Sequence, residues 1–306
     1  MSELLAKHGL PRTGTGLPES PLRFADGAQY RVEIPSVEGP ATMAAVLDEA
    51  ARRGVHVDRI SQGSGVLLLT DDELDRTAEL GAEHGMEVSL FARPLAGWGT
   101  GSTHLTPSGA PVGAQARGSE QLAAVLADVQ RAADHGIRSV LLTDVGVLDI
   151  ANRMRRDGDL PAGMVFKASV QMGLANPASI RVAASLGADT YNVPTDLTLP
   201  QLADIRAAVD IPLDIYIESP DDLGGYLRYH EIAEIVRVCA PVYLKFGLRN
   251  APALYPSGTH LEALSCQLAR ERVRRAEIGL AHLRRELPDA RPSTAPAPDL
   301  AVPAPA

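Results

Sequence analysis

The chain has 306 residues, 45% of them hydrophobic and 22% charged, enough apolar material to bury a sizeable core and too much for an intrinsically disordered protein. Its net charge of −9 excludes a general nucleic-acid binder, which needs clustered Lys and Arg against phosphates. The only two cysteines, Cys239 and Cys266, have no C-x-x-C spacing and so exclude a disulfide framework or a cysteine metal site.

No window is long and apolar enough to cross a bilayer, and no early apolar run follows a basic flank, so the expected location is the cytoplasm, without a membrane partner. Residues 1–28, rich in Gly, Pro, Ser and Thr, read as an arm covering one end of the fold. From 29 to 287, strand-like and helical runs alternate eight times. The strands are expected at Tyr30 to Ser36, Val55 to Ser61, Glu87 to Arg93, Ile137 to Asp144, Met164 to Gln171, Thr190 to Pro194, Leu213 to Glu218 and Val242 to Gly247.

In the second half the intervening helices fall near Pro177 to Leu186, Leu199 to Val209, Tyr229 to Cys239 and Thr259 to Glu286. Gly54, Gly85, Gly136 and Gly187 end helices immediately before strands. Eight such units predict a single (β/α)8 TIM barrel of the α/β class. The last helix, about 42 Å long at ~1.5 Å per residue, would overhang the barrel or support a homodimer. The Pro- and Ala-rich tail, 288–306, is expected to be disordered.

Polar side chains on the inward strand face, near the C-terminal ends, are the candidates for chemistry. Alternation in Leu213 to Ser219 turns Asp214 and Glu218 inward. The same reading places Lys245 and Arg249 inside from the last strand, Lys167, Ser169 and Gln171 from the fifth, and Arg31 and Glu33 from the first. Closure of the barrel brings Glu33 towards Lys245. Asn192 and Arg93 join as substrate-binding candidates, with His260 after the last strand and Trp98 in a lid-like segment, Leu95 to Gly118, that also carries His104.

Crowded charges in a low-dielectric mouth suit general acid–base catalysis. The expected set is Glu218, Asp214, Lys245, Lys167, Gln171 and Glu33, with a small-molecule or peptide substrate. Asp214 with Lys245 as a structural ion pair is the competing reading, and for the deepest members, Asp214 and Lys167, a structural role and a catalytic one are equal readings. Lys167 or Lys245 as a Schiff-base amine would make the protein a lyase or aldolase. No cofactor is expected, a divalent ion on Glu33, Asp144, Asp214 or Glu218 being the alternative, and a non-catalytic accessory subunit is the third reading.

Ala168-Ser-Val-Gln-Met-Gly173, Asn176, Ser185-Leu-Gly-Ala188, Asp196 to Arg206 and Ile211 to Tyr216 together resemble, in order and spacing, the U32 peptidase family. The resemblance implies a barrel enzyme and, from the family's label, hydrolysis, and maps Gln171 onto a family motif position. Well-understood relatives carry cysteines after the strand matching Leu213 to Glu218, where they hold an iron–sulfur cluster used in hydroxylation. Here that place reads Ser219-Pro-Asp-Asp-Leu-Gly-Gly225, so the resemblance implies a U32-like barrel without the cluster.

Overall fold

The eight expected strands form and pair in parallel, β1 (Tyr30–Pro35), β2 (Arg59–Ser61), β3 (Glu87–Phe91), β4 (Ser139–Leu142), β5 (Val165–Ala168), β6 (Thr190–Asn192), β7 (Leu213–Glu218) and β8 (Val242–Phe246). They close in sequence order, β8 returning to β1. This computed structural model describes residues 6–9, 16–94, 106–107, 113–294 and 296–305. The strands are shorter than the hydrophobic runs because pairing stops where the chain bends towards a helix or a mouth loop.

The connecting helices are α1 (Pro40–Arg53), α2 (Asp71–Glu83), α3 (Gly118–Asp134), α4 (Val145–Asp157), α5 (Pro177–Ser185), α6 (Leu199–Ala208), α7 (Ile232–Cys239) and α8 (Glu262–Glu286). Their starts are written in the sequence: Thr70 with Glu73 and Thr198 with Gln201 form capping boxes, and Asn176 caps α5. The outward strand residues, among them Ile34, Ile60, Val88, Val140, Phe166, Tyr191, Ile215 and Leu244, are buried under this helical ring and make the main core. Among the described residues no helix is long and apolar enough to cross a membrane.

Helix α8 lies along the barrel against α1, α7, β8 and β1. Gly279 permits that approach, since a Cβ there would stand 2.4 Å from the Phe246 ring. The buried face of α8, including Ala269, Val273, Ala276, Leu280 and Leu283, is thus used by its own barrel.

The tail corrects an expectation. Rather than being disordered, it runs beside the start of β1, with Gln29 N donating to Arg291 O at 2.8 Å and Ser293 N to Tyr30 O at 3.2 Å, and then crosses the barrel's N-terminal end. Ala297 and Ala301 are buried, and Ala304 N bonds to Gly136 O at 2.8 Å. Composition misled because small apolar residues and stiff prolines lose little entropy on docking, and the barrel floor offers them a surface.

A charge also needs the tail. Arg31 is buried, and its guanidinium bonds Ser293 Oγ at 2.8 Å and pairs with Asp299. From the other side of the floor, Phe24 of the N-terminal arm sits under Arg31 at 3.9 Å and edge-on to Tyr243. Deleting 291–306 strands Arg31, and urea unfolding should show a loss of about 2 kcal/mol, less than a wholly buried pair because Asp299 keeps solvent contact. An unchanged midpoint would mean that the tail only rests on the floor.

Candidate active site

Inside the barrel, pairing register sets a ladder of charges. Glu33 is the direct neighbour of Arg59 on one side and of Lys245 on the other, and Arg59 in turn neighbours Glu87. Arg59 Nε bonds Glu87 at 2.7 Å, and its Nη1 reaches Asp214 at 3.1 Å and Glu33 at 3.3 Å. Lys167 Nζ bonds both Glu33 oxygens at 2.5 Å and lies 3.3 Å from Asp214, while Lys245 Nζ lies 3.1 Å from Glu33. Three cations thus face three carboxylates in a region closed to solvent, so the group is electrically balanced.

Burial works to raise the Glu33 pKa, but Lys167, Lys245 and Arg59 together hold it well below its ordinary 4.5. Burial pushes the Lys167 amine down to about 8 against the pull of Asp214 and Glu33. For Glu33 the folded value lies below the unfolded one. Its charge therefore stabilises the fold above about pH 4.5, and that stability is lost as pH falls towards the folded value. Denaturant midpoints measured from pH 5 to pH 3 should fall steeply in the native protein and less steeply in Glu33→Gln; equal slopes would remove Glu33 as the acid-labile group.

Above this ladder, at the C-terminal ends of the strands, lies a cavity of about 190 Å³. Lys245 is the one charged member of the ladder that lines it. Its Nζ donates to Asn192 Oδ1 at 2.7 Å and sits 4.5 Å from the Tyr216 ring centroid. Asn192 is fixed in turn, its Nδ2 donating to Asp214 O at 3.1 Å, which aims the amide oxygen at the lysine. Ser61 and Ser169 line the wall, Ser61 Oγ donating to Glu33 at 2.6 Å. At the rim stand Gln171, Arg93, whose Nη1 bonds Gly63 O at 3.3 Å, and Asp222. The Asp222 pKa is raised, first by burial and then by its neighbour Asp221, so this carboxyl takes up a proton more readily than an exposed aspartate.

The expected residues divide accordingly. Lys245, Asn192, Gln171 and Arg93 line the cavity; Glu33, Asp214 and Lys167 lie beneath it, wholly buried in the ladder. Arg249 is exposed and 3.3 Å from Asp221, off the cavity wall, and His260 is exposed in the short turn Thr259–Leu261. Asp144 caps α4, accepting from Val147 N at 3.0 Å. Trp98 and His104, with most of the lid-like segment, fall outside the described residues.

Glu218 is a correction. The β7–β8 pairing shifts register between Tyr216 and Glu218, which turns Glu218 away from the mouth. Its carboxylate accepts from Tyr229 Oη at 2.5 Å and Arg249 N at 2.9 Å and lies 3.6 Å from Arg275 of α8. It fastens the end of β7 to the helical ring. Of the four carboxylates considered for a divalent ion, Glu33 and Asp214 are both taken up by Arg59 and Lys167 in the ladder, while Asp144 and Glu218 lie apart from them, and no cluster of three such ligands occurs among the described residues.

The family's iron–sulfur cluster does not fit these residues either. Cys239 ends α7, buried with its thiol pushed up to about 12, and Cys266 lies in the second turn of α8, 3.9 Å from Thr42 Oγ1. Neither stands after β7. Arg59, Glu87, Tyr216 and Asp222 were missed as site residues. Arg59 and Glu87 lie on inward strand positions that the alternation applied elsewhere would have exposed, Tyr216 falls on the inward face with Asp214 by that alternation but was given no role, and Asp222 sits in a short 3-10 turn without periodicity.

Residues 114–219 match the sequence profile of Peptidase family U32, the stretch that carries β4 to β7 and, with Leu141, Ser169, Val170, Gln171, Asn192 and Tyr216, a third of the cavity wall. No curated protein matches the chain. Among solved structures, a U32 peptidase is 16% identical over 69% of this chain and 74% of that one, with a TM-score of 0.40. A putative copper homeostasis protein, CutC, from Streptococcus agalactiae is 9% identical over 70% and 98%, at 0.46. Thiamine phosphate pyrophosphorylase from Pyrococcus furiosus is 13% identical over 83% and 98%, at 0.44.

Proposed function

We propose that this U32-like barrel is a hydrolase of small acyl or peptide compounds, working at the mouth above the charge ladder. The observation that carries the reading is Lys245, the ladder's single charged outlet into the cavity. With Asn192 as acceptor on one side and Glu33 as counter-charge on another, its ammonium retains donor capacity for a substrate carbonyl oxygen. In that position it would stabilise the negative charge that develops on this oxygen when water attacks. Asp222 is the acid–base group of the proposal: it takes the proton from the attacking water and returns it to the leaving amine. Arg93 and Gln171 hold the polar end of the substrate.

A panel of dipeptides and N-acyl amino acids, incubated with the protein in ¹⁸O-water, tests this by mass spectrometry. Hydrolysis places one ¹⁸O in the new carboxylate, and the signal should vanish in Asp222→Asn. Absence of cleavage across the panel would overturn the hydrolase reading. A Schiff base on Lys245 is the competing chemistry, because that amine lines the cavity whereas Lys167 is sealed below it. Borohydride trapping with pyruvate would then add mass at Lys245.

A further inference from the structure

Beside the mouth is a second cavity, of about 310 Å³, which shares Ser36, Pro220, Asp222 and Tyr255 with the first. Its far wall holds Leu248, Ala253 and Leu254, and Arg272 of α8 lines it with 4% of its surface exposed. Arg272 makes no ion pair among the described residues; its buried Nε has no hydrogen-bond partner, and Nη1 comes only within 3.5 Å of Ser36 O. Other buried arginines are differently supplied. Arg31 has Asp299, Arg59 has three carboxylates, and Arg206 donates to the carbonyls of Val209 and Ile211.

Glu38, Asp221 and Asp222, the acids around the chamber, make no ion pair with Arg272. Glu38 acts on it through space, but its oxygens already accept from Gly63 N, Ser64 N and Ser64 Oγ. Asp221, on the same cavity, is paired with Arg249. Burial lowers the Arg272 pKa, only partly countered by Tyr255, Glu38 and Tyr216, as expected for an enclosed cation without a counter-ion. A guanidinium keeps its charge, and its planar donor fork matches a carboxylate.

We infer that this chamber is a binding site for a small monocarboxylic acid with an apolar body, its carboxylate on Arg272 and its body against Leu248, Ala253, Leu254 and the Tyr255 ring. Asp221 and Asp222 at the other boundary disfavour a dianion such as phosphate. The site stands independently of the chemistry proposed for Lys245.

Calorimetric titration with phenylacetate and its neutral analogue phenylacetamide tests the inference. The native protein should bind the acid at least tenfold more tightly than the amide, Arg272→Met should erase that preference, and Lys245→Met should retain it. Ala253→Trp, on an exposed loop, should fill the chamber and weaken phenylacetate at least tenfold with an unchanged circular dichroism spectrum. Failure of phenylacetate to bind, equal affinity for acid and amide, or a preference that survives in Arg272→Met overturns the assignment. Loss of the preference in Lys245→Met with retention in Arg272→Met would place the ligand in the mouth and overturn it equally.

Discussion

Arg59→Met should lower the free energy of unfolding by about 3–5 kcal/mol, the range for removing one partner from a buried ion pair. The loss falls unevenly on the three carboxylates. Glu33 retains Lys167 and Lys245, and Asp214 retains Lys167 and a hydrogen bond from Thr190 Oγ1. Glu87 keeps only the Tyr243 hydroxyl, 3.2 Å away, and becomes a buried carboxylate without a cation. Adding Glu87→Gln to Arg59→Met restores the balance of two cations against two anions and should recover part of the loss. Urea unfolding of both single variants and the double closes the cycle. A double variant no more stable than Arg59→Met would mean that packing of the guanidinium on the Tyr243 ring, 3.5 Å from its centroid, outweighs its charge.

The barrel was legible because its signals are local and repeated: period-two strands, helix caps, and glycines at helix ends. Gly54 is an instance, with a φ of 64° that a helix terminus needs and other residues resist. The deep half of the site was legible for the same reason. Glu33, Lys167, Asp214 and Lys245 all sit where alternation puts them, and β1–β8 closure brings Glu33 and Lys245 to 3.1 Å.

Two failures have one cause, the dependence of local conformation on a partner distant in sequence. Glu218 follows the alternation on paper, but the register shift against β8 moves it to the other face, and Tyr229, Arg249 and Arg275 hold it there. The tail lacks any periodic signal, and its order comes from surfaces contributed by Tyr30, Arg31 and Gly136. Arg272 was read as neither core nor site, since a single arginine in a long charged helix gives no sign that its neighbours will enclose it. In each case the residue type was visible and its environment was not.

Lys245→Met should cut turnover of any substrate found in the ¹⁸O assay by about 10²–10³-fold, the usual consequence of losing one donor to a developing oxyanion. The fold should tolerate it, because Glu33 is left with Lys167, Arg59 and the Ser61 hydroxyl, so the stability loss should stay under about 2 kcal/mol. Lys167→Met provides the contrast. That amine has no access to the cavity and is, with Arg59, one of two cations shared by Glu33 and Asp214, so its removal should cost stability on the order of 3–5 kcal/mol. Turnover per folded molecule should change much less. Measuring kcat and the unfolding midpoint for both variants therefore separates the outlet of the ladder from its interior. If Lys245→Met matched the native kcat, the amine would be one more strut of the ladder and the catalytic centre would lie elsewhere in the mouth; if Lys167→Met lost turnover at full stability, the cavity would have to open downward to reach it.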